Sequence, residues 1–225
     1  MVQRKECHLS ATMIEVKRFV CNMLQENAYV VSDETREAVI IDCGALYDEE
    51  RRAIVNYIES HHLKPVRLLS THGHFDHNFG NDTIWLTYGL KPEVAAEDKE
   101  LMDLKTQVEQ MIGTGYEHDV PPIGRFLSKD ETIKFGNHQL AILPTPGHTP
   151  GSITFYCESE DTAFTGDTLF HMSIGRTDFP GGSWTQMANS LKNVLGRLPA
   201  TTKVYTGHGE PTTIGEELRY NPYMM

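Results

Sequence analysis

The chain has no long apolar run. Its longest are short stretches such as Ala38-Val39-Ile40-Ile41, far below the ~20 residues a transmembrane helix needs. Cysteine is scarce, four in 225 residues, and never in CxxC spacing. Cys7, Cys21, Cys43 and Cys157 therefore read as reduced thiols of a cytoplasmic protein, not as a disulfide framework. Positive charge is also short: Lys and Arg number 20 against 31 Asp and Glu, a net −11. That balance argues against nucleic acid or an anionic membrane as partner. The first twelve residues hold Arg4, Lys5, Glu6 and His8 with no apolar segment behind them, so we expect no secretory signal. The formal glycosylation sequon Asn81-Asp82-Thr83 then carries no weight. Neither a GxSxG nucleophile elbow nor a P-loop occurs, which removes two enzyme classes. What is present is ordinary globular composition, 39% apolar and 23% charged. At roughly 150 residues per domain we expect one domain over 1–225.

The first third reads as strands at 13–19, 28–32 and 38–42, short and rich in β-branched residues. Asp48-Glu49-Glu50 opens a helix with acids at its positive end, Ile54, Val55 and Ile58 as its apolar stripe, and Pro65 to end it. A strand at 66–70 follows, then a helix across 97–111, while 113–125, rich in Gly and Pro, reads as a long mobile loop or lid. Strands resume at 132–135, 139–143, 152–157 and 162–165, the first two joined by a Gly136-Asn137 turn. Ser183-Trp184-Thr185-Gln186 matches a capping box, with Trp184, Met187, Leu191 and Leu195 as the buried face behind it. A last strand at 203–206 runs into Gly207-His208-Gly209. Two similar halves of strands and helices point to a layered α/β fold with sheets inside and helices outside. Asp42-Cys43-Gly44 and Gly166-Asp167, each closing a strand, echo one another across the halves.

The chemistry sits in His72-Gly73-His74-Phe75-Asp76-His77, directly after a strand. In extended backbone residues 72, 74 and 76 point one way, and Gly73 lets the chain bend closely around an ion. Three ligands on one side and a fourth turning off serve two neighbouring cations better than one; hydrolytic metal pairs sit about 3.5–4 Å apart. Six positions cannot enclose two ions. Three loops just past strands, each with Gly or Pro flanks, offer His148, Asp167 and His208. A lone His or Asp in such a turn is usually a turn residue; the repeated architecture makes these three candidates. His8, His61, His62 and His138 read as solvated, and His171 as outside any metal shell.

In the order HGHFDH, GH, GD, GH these residues resemble the metallo-β-lactamase fold superfamily and its short glyoxalase II-like (hydroxyacylglutathione hydrolase-like) branch, from about 13 to 225. The resemblance implies an αβ/βα four-layer sandwich. It implies one metal held by His72, His74 and His148, a second by Asp76, His77 and His208, with Asp167 bridging. Asp42 would support the HGHFDH loop from behind by hydrogen bonds. Asp at position 167 favours the two-metal hydrolases over the β-lactamases. Zinc suits imidazole and carboxylate ligands, with iron or manganese fitting nearly as well. Longer relatives carry a C-terminal helical domain that grips glutathione; His208 lies close to the chain end, and we expect that domain to be absent. Arg176 either meets a substrate carboxylate or pairs with Asp178. Arg219, Asn221 and Tyr223 resemble the ending of the short forms.

The activity implied is hydrolysis of hydroxyacyl thioesters such as S-lactoylglutathione by a hydroxide between the metals, with Asp76 accepting a proton. The alternative is a persulfide dioxygenase, a similar family using one iron on two His and one Asp, here His72, His148 and Asp167. A nucleic-acid-processing member would need a further domain and a less acidic chain.

Overall fold

The computed structural model describes residues 13–225; Cys7, His8 and the segment expected to lack an export signal lie outside the described residues. Two mixed six-stranded sheets form the centre. The first runs in chain order through β1 (Glu15–Cys21), β2 (Glu26–Ser32), β3 (Glu37–Ile41), β4 (Lys64–Leu69), β5 (Pro92–Ala95) and β6 (Arg125–Leu127). The second holds β7 (Thr132–Phe135), β8 (His138–Pro144), β9 (Ile153–Cys157), β10 (Thr162–Gly166), β11 (Lys203–Thr206) and β12 (Thr212–Thr213). β1 to β3 are antiparallel, β3 to β6 parallel. β7 to β10 are antiparallel, and β10 pairs β11 in parallel. The parallel steps need crossovers. α1 (Asp48–Ser60) supplies the one between β3 and β4, and α4 (Trp184–Asn189) with the helical turns after it supplies the one between β10 and β11. The remaining helices are α2 (Asn81–Tyr88), α3 (Leu104–Ile112) and α5 (Ile214–Tyr220).

Period-two patterning sorts the apolar side chains into layers. Tyr29 and Val31 of β2, with Val39, Ile41 and Leu69, face Ile133, Phe135, Leu140, Phe155 and Phe164 of the other sheet. Their neighbours Ala28, Val30, Ala38, Ile40 and Leu68 turn outward onto Ile54 and Ile58 of α1 and Ile84 of α2. On the far side Leu169 and Val204 pack on Met187, Leu191, Leu195 and Ile214. Helix, sheet, sheet, helix is the four-layer sandwich. Among the described residues no helix is long and apolar enough to cross a membrane.

Four expectations are corrected. Pro65 does not end α1 but lies in β4; the helix stops at His61, and His62 takes φ +53. The helix across 97–111 is two pieces, a 3-10 stretch Ala96–Met102 and α3, separated by Asp103, whose carboxylate caps Thr106 N at 3.2 Å. Trp184 does not join the buried face: it is 52% exposed and meets Tyr223 edge-on, while Met187, Leu191 and Leu195 are buried. His138 is not solvated but buried between Asp33 (3.1 Å) and Glu160 (3.1 Å). The C-terminal residues are a helix and its anchor: Asn221 is buried and donates to Ser173 O and Glu217. In 113–125 Tyr116 holds the chain down, donating to Phe79 O at 2.7 Å and packing with Phe79 and Val120.

Candidate metal centre

The two halves place their reactive corners at one rim. Asp42 follows β3, His72 to His77 follow β4, Asp167 follows β10, and His208 follows β11. The sheets are stitched together there. Asn27 N donates to Gly207 O (2.8 Å), Asn27 Nδ2 to Thr206 O and Gly209 O, and Tyr29 OH to Thr206 O (2.6 Å). After β4 the chain bends at Thr71 and His72, is extended at His74 and then turns through a 3-10 helix, Phe75–His77, so residues 72, 74 and 76 do not share the one extended strand the sequence suggested. Asn78 ties that turn together, donating to His72 O and His74 O.

Seven side chains converge. His72, His74 and His148 present ligand atoms within 4.8 Å of one another; so do Asp76, His77 and His208, and so do His72, His77 and Asp167. Asp167 touches both sides, Oδ1 lying 3.2 Å from His77 Nε2 and Oδ2 3.4 Å from His148 Nε2 and 3.5 Å from His208 Nε2. Asp76 Oδ2 is 3.3 Å from His208 Nε2. Gly207 makes this approach feasible, since a Cβ there would sit 2.1 Å from Asp167 Oδ1.

The outer ring nitrogens of His77, His148 and His208 are held from behind. Asp42 accepts from Thr71 N (2.7 Å) and Thr71 Oγ1 (2.8 Å), and its Oδ2 faces His77 Nδ1 at 2.9 Å. His148 Nδ1 meets Arg176 O at 2.7 Å, and His208 Nδ1 meets Leu24 O at 3.0 Å. This leaves the Nε2 atoms of these three aimed inward, the arrangement that orients metal-binding imidazoles; His74 instead presents Nδ1. His72 Nε2, His77 Nε2 and Asp167 Oδ1 are buried and make no hydrogen bond. His74 Nδ1 and His148 Nε2 stand 2.8 Å apart. Orphaned inward-facing donor atoms of this kind are costly unless a cation satisfies them, so the residues present fit a metal.

The local charges agree. Burial drives His72 well below the ordinary imidazole value, and burial with His148 brings His74 down to about 4; both offer neutral lone pairs. Burial opposes charge on His77, but Asp167, Asp76 and Asp42 outweigh it and raise His77 well above its usual value. Burial also works against the two carboxylates, yet His77 holds Asp76 low and Asp167 well below the usual range.

Three contributors were not singled out in the sequence. Asp98 is fully buried, and its carboxylate accepts from Gly73 N (2.9 Å), Thr149 Oγ1 (2.6 Å) and Gly151 N (2.7 Å). It clips the loop carrying His72 and His74 to the loop carrying His148. Asn78 is the second. Glu26 is the third, a fully buried acid 3.8 Å from His77 that burial pushes well above the ordinary carboxylate value. His171 stands apart, 3.5 Å from Glu216. Arg176 is ion-paired with Asp178 at 2.7 Å.

A cleft of about 760 Å³ opens over His74, Asp76, His148, Asp167 and His208. Residues 113–125 do not line it.

The chain and its fold have known counterparts. A hydroxyacylglutathione hydrolase, GloC of Haemophilus influenzae, is 35% identical over 201 residues, covering 89% of this chain and 93% of that protein. The BLEG-1 B3 metallo-β-lactamase structure is 32% identical with TM-score 0.86, covering 94% of this chain and all of that one. TTHA1623 in a di-iron-bound form is 33% identical with TM-score 0.81, over 92% and 100%. The profile of the Metallo-beta-lactamase superfamily matches residues 21–208, from the end of β1 to the last histidine of the cluster. With two mixed sheets, a His- and Asp-lined rim and a profile spanning both, the chain belongs to the metallo-β-lactamase superfamily.

Proposed function

We propose that the protein is a metal-dependent hydrolase that cleaves hydroxyacyl thioesters of the S-lactoylglutathione type. The observation that carries this reading is the meeting of two ligand groups at Asp167, with three orphaned polar atoms facing inward beneath an open cleft. His72, His74 and His148 would hold one cation and Asp76, His77 and His208 the other, with Asp167 within reach of both groups. Zinc suits this donor set and iron or manganese nearly as well; the di-iron form of a similar protein supports the latter view. When bound, such a pair lowers the pKa of water from about 15.7 toward about 7 and polarises a carbonyl.

The chain's own residues do the rest. Asp76 Oδ2, at the cleft floor, takes a proton from the attacking water. The water oxygen bonds to the thioester carbon, the C–S bond breaks, and sulfur leaves with the electron pair as thiolate. A thiolate needs no acid to leave, so the absence of a dedicated donor is no obstacle. The 35% identity to a hydroxyacylglutathione hydrolase supports the substrate class. A small-molecule thioester is the only partner this requires. A cytoplasmic setting is supported by Cys21, Cys43 and Cys157, all buried free thiols; burial pushes Cys43 up to about 12, which makes it inert.

The test is a metal count on protein purified without added metal, followed by a panel of S-lactoylglutathione, a cephalosporin and glutathione persulfide with oxygen electrode readout. Two metals per chain and thioester cleavage are expected. One iron per chain with oxygen uptake, or cleavage of the cephalosporin alone, overturns the proposal.

A further inference from the structure

Exposed apolar side chains gather at the mouth of the cleft. Met23, Leu24, Met111 and Ile112 line it, and each remains between 41% and 54% exposed. They come from the turn between β1 and β2 and from the end of α3. Deeper in, Phe170 and Ile174 continue the apolar lining toward Asp167 and His208. Clustered exposed apolar surface of this kind marks a binding site more often than chance scatter.

The exposed charges around it are acidic in excess. The lining cation, Arg176, makes two 2.7 Å bonds to Asp178 and lies 3.9 Å over the ring of Phe179. Gln107 spends its amide on Gly73 O and Leu101 O. The segment that presents Leu101, Met111 and Ile112 also exposes Glu97, Glu100, Asp103 and Glu109 against Lys99 and Lys105. The whole chain carries −11. At the outer wall, away from the cations proposed for the cleft floor, a field of that sign disfavours an anionic ligand, and the Met23, Leu24, Met111 and Ile112 side chains offer its carboxylates no donors.

We propose that the leaving thiol is apolar and bears no net negative charge, and that Met23, Leu24, Met111 and Ile112 grip it. This rests on the thioester hydrolysis set out above and narrows it: the dicarboxylate form of glutathione is a poor carrier for this cleft. The acyl group lies over Asp76 and Asp167, and the thiol half extends outward along the apolar wall. Because that half is remote from the reacting carbon, its fit acts on KM more than on kcat.

Three thioesters with the same lactoyl group separate charge from size: S-lactoylglutathione, its diethyl ester, and the S-lactoyl thioester of benzyl mercaptan. With metal-loaded protein the diethyl ester and the benzyl thioester are expected to show kcat/KM about tenfold or more above the free acid, about 1.4 kcal/mol, carried mainly by KM. Ile112→Arg, at an exposed position, is expected to cut that preference to about threefold or less by improving the free acid. Equal or higher kcat/KM for the free acid overturns this inference while leaving thioester hydrolysis standing. Cleavage of none of the three overturns both.

Discussion

Asp98 gives the sharpest test of how the metal centre is held. Asp98→Ala strips the acceptor from two backbone N–H groups, Gly73 and Gly151, and from the Thr149 hydroxyl, all buried. Each orphaned group costs about 1–3 kcal/mol, and water entering the vacated space offsets part of that. We expect a net loss of about 2–5 kcal/mol, a fall in Tm on the order of 5–15 °C at ~2–4 °C per kcal/mol for a chain this size. Burial pushes the Asp98 carboxyl above its ordinary value despite the donors around it, so ionised Asp98 carries a desolvation cost that Asn would not. Asp98→Asn, keeping one acceptor oxygen and the shape, is therefore expected to lose about half as much. The metal readout is more specific. Asp98 acts at Gly73, between His72 and His74, and at the loop of His148, so of the two cations proposed the one on that side is expected to bind about 10–100-fold more weakly, the usual range for a lost outer support. Dialysis against graded chelator followed by elemental analysis, with thermal unfolding of metal-free and loaded protein, measures both. Full two-metal occupancy in Asp98→Ala at wild-type chelator concentrations, with Tm within about 2 °C, would refute the reasoning.

Asp42→Ala removes the partner of His77 Nδ1 and the acceptor for Thr71; metal affinity measured by competition is expected to fall about 10–100-fold. Gly207→Ala forces a methyl to within 2.1 Å of Asp167 Oδ1. Activity should drop at least tenfold by rough reckoning (about 1.4 kcal/mol), with bound metal falling in parallel; an active, fully loaded variant would contradict the geometry. His138 is raised above its ordinary value, burial being outweighed by Asp33 and Glu160. Its stabilising contribution is therefore complete below about pH 6.5 and lost as pH climbs through the raised folded-state value. Urea unfolding should show the wild type's advantage over His138→Gln shrinking from pH 6 to higher pH, and a widening gap would count against it.

The layers were readable because β3, β4 and β9 are short apolar runs bounded by polar residues, and because the α1 stripe repeats with helical period. The beginning of β2 was not: Glu26 and Asn27 are polar yet fully buried, serving the rim rather than the core. Trp184 obeyed helical spacing but is the first residue of α4, half exposed with Tyr223 as its ring neighbour. The ligand side chains stood out because four of them crowd into six positions. Asp98 could not stand out, since Glu97-Asp98-Lys99-Glu100 reads as an ordinary solvated charge run. Only the fold reveals that one of these four points inward. His138 was hidden likewise, its partners Asp33 and Glu160 lying far away in the chain.

The carbonyls that steady His208 and His148 belong to Leu24 and Arg176, whose side chains line the cleft. Main-chain oxygen is the same whatever residue carries it. Evolution can thus rewrite what the cleft grips at these two positions without retuning the imidazoles behind it. At Leu24 and Arg176 the lining of the cleft and the support of the imidazoles share a segment of polypeptide but draw on different atoms of it.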